Sequence, residues 1–144
     1  MTIWHRASFT GNTLTTFSGE GGLYSPGRWN YLGKKVVYCS ESIALCTLEW
    51  LANNGLSVSG FNYYRYSIDI PDHLTIKFSS NDLPKDWDMT PATDVTREFA
   101  ETKFFSSEKI LAMAVPSVIV PEEYNLVINP LHPEFLRMTK LLSL

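Results

Sequence analysis

The chain has 144 residues, 44% of them hydrophobic and 19% charged, which suits one globular domain (1–144) large enough to bury a core of its own. It has no run of about 18 apolar residues to span a bilayer as a helix, and a net charge of −3 argues against the basic face that nonspecific nucleic-acid binding requires. Two cysteines and three histidines, none at a ligand spacing, exclude a disulfide framework and predict no metal site.

In chain order, "TIWHR" reads as a short opening strand, and the first residues lack the charged, apolar and small-residue blocks of a secretory signal. The cytoplasm is the expected compartment. The following stretch, 7–30, is rich in Gly, Ser and Thr without a steady period, and long irregular segments of this kind are usually functional. Its Gly19, Gly21 and Gly22 match neither a P-loop nor a dinucleotide fingerprint and read as loop flexibility. "KKVVYCS" is a β-branched strand, after which Ser40 or Ser42 caps a helix over "SIALCTLEWLANNG" that stops at Asn54-Gly55. On that helix Ile43, Cys46 and Trp50 form one stripe, flanked by Ala44, Leu48 and Leu51.

"YYRYSIDI" and "HLTIKF" read as two strands that pair across the Pro71-Asp72 turn, with Leu74, Ile76 and Phe78 alternating inward. A polar, proline-bearing connection comes next, then a helical pattern through Val95, Phe99 and Thr102. "KILAMAVPSVIVP" is a buried strand in which Pro116 predicts an edge position or a bulge at Ser117. "YNLVINP" is another strand, and "HPEFLRMTKLLSL" opens a last helix with proline near its start. Mixed strands, few short helices and long loops predict an α+β fold around a twisted, split mixed sheet.

Four residues stand out chemically. Glu49 is a carboxylate among Leu48, Trp50 and Leu51, and it needs either an outward position or a partner. Arg28 places a planar guanidinium in a Gly-Arg-Trp-Asn turn, suited to bidentate phosphate contact or to stacking on a neighbouring ring. Tyr38 ends the strand that feeds the helix, and Ser117 is a hydroxyl amid apolar neighbours that must find a hydrogen-bond partner.

Taken together, "WHR", "GRWN" with Gly33 downstream, "VVYCSESIALCTLEWL", "VPSVIVP" and "YNLVINPLHP" resemble the RES-domain family, named for its Arg, Glu and Ser. The likeness runs from Trp4 to Pro133 and departs at Ala100, Glu101, Thr102 and Lys103, where many members carry a Gly-Asp-x-Trp-like element. The resemblance implies a fold similar to ADP-ribosyltransferases, with NAD+ as substrate, and the His and Cys spacing predicts no metal. It implies the toxin of a toxin–antitoxin pair, with an Xre-type antitoxin as partner, while the acidic charge and the lack of an apolar span predict no direct contact with nucleic acid or membrane. Carried over, the site is Glu49, Arg28 and Ser117, supported by Arg6 and Tyr38 in binding the dinucleotide. Water, phosphate or a protein side chain can each accept the ADP-ribose. A homo-oligomer stays open, as does a noncatalytic nucleotide-binding or protein-interaction module.

Overall fold

In the computed structural model, which describes residues 2–55 and 63–142, the β-branched and aromatic runs form strands wherever their alternation finds a partner. The strands are β1 (Thr2–Ser8), β2 (Val37–Ser40), β3 (Tyr64–Ile70), β4 (Thr75–Lys77), β5 (Ala112–Pro116) and β6 (Tyr124–Ile128). The helices are α1 (Thr13–Thr16), α2 (Gly21–Tyr24), α3 (Ile43–Asn54), α4 (Asp94–Ala100) and α5 (Pro133–Leu142). The sequence pattern of the last helix extends to 143–144, which lie outside the described residues. One mixed sheet has the order β3-β1-β2-β6-β5-β4, and among the described residues only β4 and β5 pair in parallel.

Period-2 alternation divides the core between the two faces of this sheet. Trp4, Val37, Cys39, Ala114, Leu126 and Ile128 face Phe17 and the Phe135 of α5. On the opposite face Met113, Val115 and Val127 meet Trp29, Ala100 and Phe104. The predicted split is a narrowing: β1 pairs with β3 from Thr2 to Ser8 but touches β2 only at His5 and Ser40. Beyond that pair β1 and β2 diverge, and the sheet opens between them.

The structure corrects several expectations. Strands β3 and β4 do not pair; they form opposite edges of the sheet, because β1 takes the whole length of β3 and a 3₁₀ turn at Asp72–Leu74 redirects the chain to β5. Leu74 therefore packs on one face while Ile76 and Phe78 pack on the other. Strand β5 is interior. Phe78 N–H donates to Ala114 at 2.9 Å, and two residues on Pro116 has no N–H to carry that ladder further. After Pro116 the chain enters a turn rather than a bulge.

Gly22 is fixed by packing and is no flexible link, since a Cβ there would lie 1.9 Å from the Lys34 carbonyl oxygen. The second helical pattern also faces differently: Thr96, Ala100 and Phe104 are buried and Val95 is exposed. A π-helical turn at Glu101–Phe105 continues α4 and shifts the phase of its face. It coincides with the segment in which the sequence departs from its family pattern.

Ser42 caps α3, its Oγ accepting from Leu45 N–H at 3.0 Å, and Gly55 ends the helix as expected. Ser42→Ala is expected to lower stability by about 1 kcal/mol. Urea unfolding checks this, and an unchanged midpoint would show that the cap contributes nothing. Cys39 and Cys46 are both buried free thiols, and burial pushes the Cys39 thiol up to about 12 and Cys46 upward as well. Only the thiolate is nucleophilic, so neither should react with iodoacetamide at neutral pH until the protein is unfolded in urea. Mass spectrometry of the folded protein reads the outcome.

Candidate functional site

Helix α3 turns Leu45, Cys46, Glu49 and Trp50 toward the sheet, a spacing of one helical face, while Ile43 and Leu48 are exposed. Of the expected stripe, only Cys46 and Trp50 face inward. Glu49 thus lies on the inward side, half-buried, above polar positions of the strands below. Alternation brings Tyr38 and Ser40 of β2 and Asn125 of β6 to that face, and Ser117 follows the end of β5.

Glu49 Oε1 accepts two hydrogen bonds, from Ser117 Oγ at 2.7 Å and from Asn125 Nδ2 at 2.9 Å. Its second oxygen, Oε2, has no hydrogen-bond partner among the described residues and is not a buried orphan atom, so it opens to solvent. Ser117 is fully buried and well held. Its N–H donates to Glu123 O at 2.8 Å, and its Oγ accepts from Ile119 and Val120 N–H at 3.0 and 3.1 Å. With those two donors occupying its lone pairs, the hydroxyl proton is directed at Glu49.

Arg28 is anchored through Nη1, which donates to the carbonyls of Trp87 at 2.9 Å and Met89 at 2.7 Å. Burial lowers its pKa, Glu49 and Asp88 oppose that shift, and Arg97 adds to it. Arg28 and Glu49 therefore lie in each other's field without a direct ion pair among the described residues. Around Arg28 the loop is tied down from both sides. Tyr38 Oη donates to Asn30 Oδ1 at 2.6 Å and accepts from Trp29 N–H at 3.2 Å, and Arg97 Nε donates to Gly27 O at 2.8 Å. A Cβ at Gly27 would lie 2.6 Å from Tyr38 Oη, so only glycine lets the loop approach this closely.

Burial raises the Tyr38 hydroxyl far above its ordinary pKa, and it stays protonated as a tether. Arg6 of β1 reaches across the opening in the sheet, donating from Nε to Thr16 O at 2.8 Å and from Nη1 to Tyr38 O at 2.9 Å. There Arg6, Gly27, Asn30, Tyr38 and Asn53 line a cleft of about 340 Å³. Asn53 is one helical turn beyond Glu49, on the same side of α3. Glu49, Ser117, Arg28 and Tyr38 are thus gathered on one face, and Arg6 joins them through the split.

Two members of the arrangement carry no functional signal in the sequence: Asn125, and Ser40, which reads there only as a cap. Ser40 Oγ donates to Asn125 Oδ1 at 2.7 Å. The available signal was a polar side chain at a sheet-facing position in "YNLVINP". No group of three or more His, Cys, Asp or Glu able to hold a metal occurs among the described residues. Chemically, the arrangement offers a carboxylate with one oxygen fixed and one free, in the field of the Arg28 guanidinium and one helical turn from Asn53 of the cleft that Arg6 and Tyr38 line.

Known proteins resemble this chain along most of its length. It is 38% identical over 120 residues to the Prs ADP-ribosylating toxin of Sphingobium sp., covering 81% of this chain and 74% of the relative. It is 33% identical over 121 residues to Toxin Res of Yersinia enterocolitica, covering 84% of this chain and 79% of the relative. Its fold is similar to a chain in the crystal structure of the M. tuberculosis MbcT-MbcA toxin-antitoxin complex. That match has a TM-score of 0.69 at 18% identity and covers 88% of this chain and 73% of the other. The RES-domain family model matches residues 2–143, and the chain belongs to the RES-domain family.

Proposed function

We propose that the protein is the toxin of a toxin–antitoxin pair and that it cleaves NAD+ at the nicotinamide–ribose bond. The observation that carries this reading is Glu49, held through Oε1 by Ser117 and Asn125 with Oε2 left open. Cleavage of that bond passes through an oxocarbenium-like state, in which positive charge grows on the ribose while the nicotinamide leaves neutral. No acid has to protonate the leaving group. A fixed carboxylate lowers the barrier because it attracts the transition state more strongly than the bound substrate.

Arg28 clamps the pyrophosphate with the N–H groups its backbone contacts leave over, and Arg6 borders the cleft that Tyr38 also lines. Tyr38 presents its ring to the cleft as a platform for the nicotinamide, while its hydroxyl holds the Arg28 loop. The ADP-ribose passes to water, phosphate or a protein side chain; all three acceptors share the first bond to break. Relatives named as toxins and a structural neighbour solved with an antitoxin support an antitoxin partner, which we assign to the Xre type. No helix among the described residues is long and apolar enough to cross a membrane, and we place the action in the cytoplasm, on the free NAD+ pool.

Purified protein incubated with NAD+ tests the reading. Nicotinamide release, with product masses compared with and without phosphate, would establish the reaction and identify the acceptor. Intact NAD+ beside measurable binding would instead point to a noncatalytic nucleotide-binding module.

A further inference from the structure

The bond from Ser117 is one of two that reach Glu49 Oε1; the other comes from Asn125. Asn125 stands on β6, opposite Ser40 of β2 and Val115 of β5. Ser40 is buried and donates to Asn125 Oδ1 at 2.7 Å. A planar amide offers its acceptor on one side and its donors on the other. With Oδ1 committed to Ser40, Nδ2 faces Glu49; the reversed amide would set its oxygen against a carboxylate oxygen. The polarity of the chain therefore runs one way, from Ser40 through Asn125 to Glu49.

We propose that Asn125, oriented by Ser40, is a positioning residue for Glu49: it shares Oε1 with Ser117 and so holds Oε2 toward the substrate. The terminal torsion of a glutamate is broad and roughly two-fold, so a single donor leaves the carboxylate plane free to turn. Two donors from different parts of the sheet, the turn after β5 and the strand β6, fix that plane before substrate arrives. Electrostatic stabilisation depends on such preorganisation, because a group that must reorient in the transition state gives back part of what it contributes. This inference rests on the NAD+ reading.

Three variants, Asn125→Ala, Asn125→Asp and Ser40→Ala, test it against wild-type protein, with melting temperature recorded for each. Asn125→Ala is expected to lose about 10–100-fold in kcat while KM for NAD+ stays within about threefold. Ser40→Ala should lose about 10-fold in the same parameter. Asn125→Asp keeps the shape and the acceptor for Ser40 but brings a second carboxylate against Glu49. Two carboxylates that close cannot both be ionised, so the acid limb of the pH–rate profile moves to higher pH. A merely structural role would not produce that shift, and this near-isosteric variant serves if the alanine variant fails to fold. A folded Asn125→Ala protein within about twofold of wild-type kcat would overturn the proposal. So would an Asn125→Asp profile that superposes on the wild type, or a loss confined to KM. Wild-type protein that releases no nicotinamide would remove the NAD+ reading and this inference together, whereas active wild type with indifferent variants would remove the inference alone.

Discussion

Glu49→Gln is expected to fold, to bind NAD+ nearly as the wild type does, and to release nicotinamide about 10³-fold more slowly. The glutamine carbonyl can still accept from Ser117 Oγ and Asn125 Nδ2, so the hydrogen bonds that seat the side chain survive. Only the charge is lost. In the transition state the positive charge moves from the nicotinamide ring of the bound substrate onto the ribose, where that carboxylate charge meets it, so the loss falls on kcat rather than on affinity. A 10³-fold loss corresponds to about 4 kcal/mol of transition-state stabilisation. Nicotinamide release measured beside a thermal melt decides the matter. A folded Glu49→Gln protein with wild-type turnover would remove Glu49 from the reaction.

Arg28→Ala should weaken NAD+ binding by about 10–100-fold, or about 1.4–2.8 kcal/mol, the loss of one charge-assisted clamp. Two effects have to be separated, because Nη1 also donates to the Trp87 and Met89 carbonyls. Removing the guanidinium frees that segment as well as the phosphate contact. Arg28→Lys keeps a charge but loses the planar fork, so it should recover part of the affinity and little of the loop's order. Calorimetry on both variants reads the difference, and unchanged affinity in Arg28→Ala would sink the clamp.

The substitutions differ in how visible their targets were in the sequence. Arg28, Glu49 and Ser117 stood out through ordered motifs spread over nearly the whole chain, and the fold places them on one face of the sheet. Asn125 sits inside a strand motif with no visible role, because nothing local distinguishes a sheet-facing asparagine that orients a carboxylate from one that merely finds a partner. The inward face of α3 is displaced by one position for a related reason. Leu45 is buried and Glu49 is held inward by Ser117 and Asn125 beneath it, while Ile43 and Leu48 remain exposed.

By itself the sequence determined the local elements: the strand ending in Ser40, a helix cap at Ser40 or Ser42, the stop at Gly55, the early proline of α5, and the motifs that mark the family. These arise from dihedral preference, hydrogen bonding within a few residues and side-chain alternation, all of which act over short stretches. The tertiary structure alone decided that β3 and β4 lie at opposite edges, that β5 is interior, and that the sheet opens between β1 and β2. It also decided which oxygen of Glu49 is fixed and which is free. Glu49 meets Ser117 across 68 positions and Asn125 across 76, and Ser40 meets Asn125 across 85. Contacts at such separations are set by strand order and register, and those arise from burying both faces of the sheet at once rather than from any periodicity along the chain.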